Sequence, residues 1–205
     1  MWWCAAILAI TAALTACTGS ATPRPTHSPV PTTPSTSAAP SSTAPPAPVV
    51  PTTGPNVRPG ERPPTLPAVG HEDKPIGADF YARYWIETLD WGYATTSSAL
   101  ARTAFSPVCT GCARFVTTYD LTSKAGDHFV GGRSSITSSA IADNDKRNGA
   151  QYAVDITISV APLKTVDAKG AAVSSAKPLT ITFRNWLAWR GVGFTVVDFK
   201  QVVMK

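Results

Sequence analysis

The chain has 205 residues, a formal net charge of +5 and 43% hydrophobic residues. Its acidic and basic residues alternate and form no Lys- and Arg-rich cluster with interleaved aromatics, which excludes a nucleic-acid partner. Sixteen of the 19 prolines fall within residues 21–75, and no aromatic residue lies between Trp3 and Phe80. Because such a segment cannot bury enough apolar surface to offset its chain entropy, it predicts a disordered tether followed by one globular domain.

The N-terminus carries an uncharged apolar run over residues 2–16, which has the length of a signal-peptide core and is short for a membrane span. The run ends in Leu14-Thr15-Ala16-Cys17, a string that resembles the lipobox of bacterial lipoproteins. The resemblance implies cleavage before Cys17 and transfer of a diacylglyceryl group to its sulfur. Because two acyl chains hold a protein stably on a membrane, we expect a secreted protein that is lipid-anchored to the extracytoplasmic face of the cell membrane.

Three segments follow from this composition. We assign residues 1–16 to the signal peptide, residues 17–75 to the lipidated cysteine and a disordered Pro/Thr/Ser-rich tether, and residues 76–205 to the globular domain. A flexible tether of this length spans roughly 40 Å, and a full polyproline helix would reach roughly 180 Å. The tether therefore places the domain some distance from the membrane surface.

The first part of the domain has helical periodicity. Apolar residues recur at helical spacing over residues 79–100, with Tyr81 and Trp85 on the buried face. Ser106 followed by Pro107 is typical of the start of a second helix, and Gly126 is a suitable stop. We therefore expect two helices before any strand.

After residue 126 the period changes from 3.6 to 2. Alternating segments at residues 133–142, 152–160, 179–189 and 194–203 predict strands. Helices first and an antiparallel meander afterwards indicate an α+β fold. We expect two N-terminal helices packed on a curved, cone-like antiparallel sheet of about four strands.

The length of its loop predicts the register of the last hairpin. A two-residue loop at Gly191-Val192 pairs Leu187 with Val196 and Asn185 with Asp198. Both faces of the hairpin are then apolar, but helices can cover only one of them. We call the uncovered side the outer face. We hypothesise that this outer face meets an envelope protein, a wall polymer or another copy of the chain, through the residues Trp186, Val197 and Phe199.

Several strings together resemble a known family. The lipobox and Pro/Thr tether are followed by Phe80-Tyr81-Ala82-Arg83-Tyr84-Trp85, Ser106-Pro107-Val108-Cys109-Thr110-Gly111-Cys112, a Gly131-Gly132 pair and a final Trp189-to-Val196 hairpin. This pattern resembles actinobacterial lipoproteins whose domain has no known function. The aromatic hairpin also resembles the ending of nuclear-transport-factor-2-like domains, which implies an α+β cone but no particular activity.

The pair Cys109 and Cys112 has three interpretations. A local structural disulfide would pin the start of the second helix in an oxidising compartment. A redox site would use Cys109 as the attacking thiolate, its pKa lowered by the helix N-terminus. A metal site would need further ligands, which the lone His128 of the domain cannot supply, so we expect no metal.

Few other residues of the domain suggest a chemical role. Asn185 and Asp198 interrupt an apolar face and must be hydrogen-bonded. They either bond to each other or to the backbone, or they form the floor of a ligand pocket opposite Tyr84. We assign no catalytic residue and no cofactor. The sequence favours a non-catalytic envelope binding module; the alternatives are a small pocket enzyme of the isomerase or dehydratase type and a thiol-disulfide oxidoreductase.

Overall fold

The structure, a computed structural model, describes residues 48–142 and 147–202. The signal segment, Cys17 and the first part of the tether lie outside the described residues. Where the chain is described, no helix is both long and apolar enough to cross a membrane. The prediction of an α+β fold with two helices and antiparallel strands is confirmed.

Two α-helices precede the strands in the part of the chain that the structure describes. Helix α1 spans Pro75–Thr95 and helix α2 spans Thr110–Lys124, with short 3-10 turns at Ala68–His71 and Ala101–Thr103. The start of α2 differs from the prediction, since Cys109 and not Ser106 is the N-cap. The Cys109 sulfur accepts a hydrogen bond from the Cys112 amide at 3.2 Å. It thereby satisfies one of the helix amides that have no partner within the helix.

Within residues 48–142 and 147–202, seven strands form two antiparallel sheets. They are β1 His128–Gly131, β2 Ser134–Ala142, β3 Tyr152–Val160, β4 Leu163–Val166, β5 Ala172–Ala176, β6 Leu179–Trp189 and β7 Phe194–Val202. The larger sheet has the order β2-β3-β6-β7, and the smaller has the order β1-β4-β5. The four predicted strands are those of the larger sheet. The smaller sheet was not predicted, because its strands have only four or five residues.

Among its described residues, the chain crosses between the sheets three times, at residues 132–133, 161–162 and 177–178. We call these three connections the seam. Gly131 and Gly132 have φ of 74° and 69°, a conformation that favours glycine. A Cβ on Gly131 would also lie 2.3 Å from the Pro162 carbonyl oxygen. The Gly-Gly pair is therefore required by the close approach of two crossovers.

The core lies between the two helices and the inner face of the larger sheet. Trp85 is fully buried there, as predicted, and its ring lies edge-on to Phe105 and Phe199, each with centroids at 5.6 Å. Phe199 also stacks on Phe183 at 4.7 Å. These contacts join α1 to the last two strands.

A bulge changes the register of the final hairpin. The predicted partners Leu187 and Val196 are confirmed. Beyond them the pairing shifts by one residue, so that Asn185 lies opposite Phe199 and Trp186 lies opposite Asp198. The predicted pairing of Asn185 with Asp198 is wrong, because Val197 is an extra residue in the ladder.

The same bulge and a nearby loop correct the hypothesis of an exposed outer face. Trp186 and Val197 are buried on that face, in a small cluster with Ala150. Arg147 lies over the Trp186 ring at 4.9 Å. Phe199 belongs to the inner core instead. The three residues do not form an exposed apolar surface, which removes the reason for proposing a partner there.

The ordered domain begins before residue 76, which corrects the predicted end of the tether. The indole N–H of Trp91 donates to the Pro51 carbonyl at 3.1 Å. The Asn56 side chain donates to the Gly131 carbonyl at 2.7 Å and accepts from the Gly131 amide at 3.3 Å. Proline content alone could not reveal these contacts, since single polar side chains make them.

Candidate functional site

An apolar cavity of about 220 Å³ lies between α1, the inner face of the larger sheet and the seam. Both helices and strands β3 and β6 contribute to its wall. Each of the three crossovers also contributes one residue. The lining residues are Ile86, Leu89, Asp90, Tyr93, Phe115, Gly132, Ser134, Ile158, Val160, Ala161, Leu163, Ala176, Lys177, Leu179, Ile181 and Phe183.

The walls follow from the two periodicities of the sequence. Ile86, Leu89 and Tyr93 lie three or four residues apart on one face of α1. Ile181 and Phe183 lie two apart on β6, so both face the helices. The apolar stripe of α1 and the inner face of β6 are therefore two walls of the cavity.

Asp90 is the one carboxylate among the described residues of this wall, and both of its oxygens accept hydrogen bonds. One of its oxygens accepts from the Ser134 amide at 2.6 Å and from the Ser134 hydroxyl at 3.1 Å. The other accepts from the Nε and a terminal nitrogen of Arg133 at 2.9 and 2.7 Å. A carboxylate held in this way has no oxygen left to act as a general base.

Arg133 links the cavity wall to the N-terminal segment of the domain. Its side chain is only 10% exposed. Besides Asp90, it donates to both carboxylate oxygens of Glu61, at 2.5 and 3.0 Å, and to the Asn56 carbonyl at 3.2 Å. Its hydrogen bonds hold the pKa of Glu61 below the ordinary value, against the opposing effect of burial. We call Glu61, Asp90 and Arg133 the arginine clamp.

Two lining side chains have uncommitted polar groups. Tyr93 packs edge-on against Tyr119 and Phe129, with centroids at 5.1 and 5.0 Å. Burial raises its pKa, and the Asp90 charge raises it further. Within the described residues neither the Tyr93 hydroxyl nor the Lys177 ammonium has a hydrogen-bond or ion-pair partner. Lys177 is exposed and lies in the third crossover.

The predicted pocket residues Tyr84, Asn185 and Asp198 are not brought together, and none lines the cavity. Asn185 is fully buried and donates to the carbonyls of Val154 and Phe183, at 3.0 and 3.2 Å. Asp198 lies in the ladder opposite Trp186, on the outer face, 3.8 Å from Arg147. The bulge thus places the two polar residues on opposite faces of the sheet.

The predicted disulfide between Cys109 and Cys112 is confirmed. Both cysteines are fully buried within the main core cluster. Thiol–disulfide exchange needs an accessible sulfur, so this position suits a structural bond at the start of α2. His128 is the first residue of β1, and no group of three potential ligands for a metal ion is found in residues 48–142 and 147–202.

Sequence reasoning missed the cavity because its polar residues are distant in the chain. Asp90 lies on the helix, Arg133 and Ser134 follow the Gly-Gly pair, and Lys177 precedes Pro178. The available signal was the placement of Gly131-Gly132, Pro162 and Pro178 between strand-like segments. These residues mark the crossovers where the two sheets separate.

Comparisons with known proteins give one family and remote structural likenesses. The intermembrane space region of chloroplast protein ARC6 has 9% identity and a TM-score of 0.46, over 65% of this chain and 99% of that one. Aln2 from a Streptomyces species has 12% identity and a TM-score of 0.35, over 67% and 93%. A putative calcium/calmodulin dependent protein kinase II association domain from Xanthomonas campestris has 9% identity and a TM-score of 0.33, over 69% and 93%.

No curated protein matches the chain. The family match covers residues 58–189, which include the arginine clamp, the disulfide and the whole cavity lining. The chain belongs to DUF6318, a family of unknown function.

Proposed function

We propose that this protein is a membrane-anchored envelope lipoprotein whose domain is a non-catalytic binding module for a small apolar group. The observation that carries this proposal is the cavity at the seam, with walls made almost wholly of aliphatic and aromatic side chains. Concave apolar sites with a few polar groups are the usual form of small-molecule sites.

The volume sets the size of the ligand. A buried cavity of about 150 Å³ lined by aliphatic and aromatic residues accommodates benzene. At the same packing, the 220 Å³ observed here holds a chain of roughly eight carbons. We therefore infer a short aliphatic or single-ring group as the part that enters the cavity.

The lack of a free carboxylate among the described residues of the cavity wall supports binding over catalysis. A pocket enzyme of the isomerase or dehydratase type needs a general acid or base within reach of its substrate. In this cavity the Asp90 oxygens are taken by Arg133 and Ser134. An oxidoreductase would need exposed sulfurs, whereas Cys109 and Cys112 are buried. The first alternative therefore lacks a free carboxylate base in the described wall of the cavity, and the second lacks an accessible sulfur.

A cavity-filling variant tests the binding module. Replacing Ile181 by Phe places a ring in the cavity, and we expect binding of 1-octanol to weaken at least tenfold by isothermal titration calorimetry. Val192→Phe adds the same ring at a turn position that is 88% exposed and should leave binding unchanged. Leu163→Phe serves as a second filling variant if Ile181→Phe does not fold. Equal binding by all variants would reject the cavity as the site.

The anchor is supported by the apolar run of residues 2–16 and by Leu14-Thr15-Ala16-Cys17. In cells fed an alkyne-tagged fatty acid, the protein should acquire the tag and sediment with membranes. Cys17→Ser should lose the tag and appear in the medium or the soluble fraction, because no acyl chain then holds it. Tagging that survives the substitution would refute lipidation at Cys17.

We also propose that the fold is a nuclear-transport-factor-2-like cone. The packing of α1 and α2 on one face of the larger sheet, and the closing Trp189–Phe194 hairpin, support this. An experimental structure that superposes on such domains over both helices and all four strands of the sheet is the test. A different strand order would reject it.

A further inference from the structure

We infer that the ligand of the cavity is a single-chain amphiphile with an anionic head, which Lys177 holds at the seam. This inference rests on the proposed binding function and specifies the ligand class. In an apolar site, the few polar groups decide how a ligand is oriented and which ligand is bound.

Two polar groups of the cavity wall remain unpaired among the described residues, and both can donate a hydrogen bond. Both Asp90 oxygens accept hydrogen bonds from Arg133 and Ser134. The Tyr93 hydroxyl and the Lys177 ammonium have no partner among the described residues. Among the described residues, a ligand amine would therefore find no open carboxylate oxygen in the cavity wall. A ligand carboxylate or phosphate would meet an uncommitted ammonium and a hydroxyl that can donate.

The position of Lys177 suits a ligand head group at the solvent-exposed edge of the cavity. Lys177 precedes Pro178, and the residue before proline is restricted to an extended backbone. Ala176 and Leu179 on either side of this dipeptide line the cavity, and Leu179 is partly exposed. A lysine in such a place lays its aliphatic stem along the apolar rim while its ammonium stays in water. The ligand head can then remain hydrated beside the ammonium while the tail is buried.

Size decides between the two sources of such a ligand. The cavity holds roughly eight carbons, which fits a free short-chain carboxylate or phosphate ester. The two long chains of a membrane phospholipid do not fit. We therefore commit to a free single-chain amphiphile, and vesicles of diacyl phosphatidylglycerol should not compete for the site.

The test compares three probes of equal chain length, octanoate, 1-octanol and octylamine, on the full chain by calorimetry. We expect octanoate to bind more tightly than octylamine. Lys177→Gln should weaken octanoate binding about three- to fivefold, the upper part of the range for an exposed ion pair, and leave 1-octanol binding unchanged. Lys169→Gln removes a lysine from the exposed β4–β5 turn outside the cavity lining and should change neither. Added salt should weaken octanoate binding to the unsubstituted protein and to Lys169→Gln, but not to Lys177→Gln.

The outcomes separate the two proposals. If no probe binds, or if Ile181→Phe binds them all as well as the unsubstituted protein does, the cavity is not a binding site and both proposals fail. If 1-octanol binds but octanoate is unaffected by Lys177→Gln, or if octylamine binds more tightly than octanoate, the anionic head is refuted and the apolar site stands. Competition by phosphatidylglycerol vesicles would refute the choice of a free ligand.

Discussion

Replacing Arg133 by Met should lower the free energy of unfolding by about 3–5 kcal/mol, the cost of removing one partner from a buried ion-pair network. The substitution keeps most of the aliphatic volume but leaves the Glu61 and Asp90 carboxylates without their cation. It also removes the hydrogen bond to the Asn56 carbonyl. Urea denaturation followed by tryptophan fluorescence measures the loss. Protease cleavage within residues 48–67 should accelerate too, because the arginine clamp holds that segment.

A matched control is available in Arg102, which pairs with Asp120 at 2.5 Å but is 46% exposed. Exposed pairs contribute at most about 1 kcal/mol, so Arg102→Met should be mild. Similar losses for the two variants would show that Arg133 acts as an ordinary surface cation.

The arginine clamp should also make the stability of the domain depend on pH. Because the Arg133 hydrogen bonds lower the pKa of Glu61, the contribution of Glu61 to stability is full above its ordinary pKa of 4.5 and is lost as the pH falls further. In Arg133→Met this part of the acid-induced loss should disappear. An unchanged pH profile below pH 4.5 would contradict the assignment.

Gly92→Ala should destabilise the domain by about 3 kcal/mol, at the upper end of the usual range for overpacking. In an exposed helix the same change stabilises by roughly 1 kcal/mol. Here a Cβ would lie 2.3 Å from the Tyr119 ring. That ring is fully buried, and its hydroxyl donates to the Leu89 carbonyl at 2.9 Å, so it cannot move aside cheaply. Thermal unfolding measured by circular dichroism gives the shift.

Gly193→Ala is the control for this substitution, since a Cβ at Gly193 would meet nothing within 4 Å. It should change stability by less than about 0.5 kcal/mol, as for most surface substitutions. If Gly92→Ala were equally tolerated, the close packing of α1 on α2 at Tyr119 would be wrong.

The long periodic segments were predictable because each has one buried face. Helix α1 and strands β3, β6 and β7 repeat apolar residues over nine or more positions, and their patterns match the observed core. The short strands of the smaller sheet were not predictable in this way. β5, for example, is exposed at every position and has no buried face to leave a period in the sequence.

The candidate site depends on features that a period cannot show. One extra residue at Val197 moved Asp198 to the outer face and removed the predicted partner of Asn185. The cavity arises where three crossovers separate two sheets, and its clamp joins residues 61, 90 and 133. Likewise, residues 48–67 have a tether-like composition but are held by specific hydrogen bonds to Trp91 and Gly131. Such contacts follow from tertiary geometry.

Methyl resonances of the isoleucines, recorded while 1-octanol is added to the full chain, would locate the ligand within the domain. The cavity at the seam predicts saturable shifts at Ile86, Ile158 and Ile181, which line it. Ile76 and Ile141 lie outside it and are 50% and 42% exposed, so their signals should stay in place. Shifts confined to Ile76 and Ile141, or no saturable shift at the three lining residues, would contradict a binding module built around this cavity.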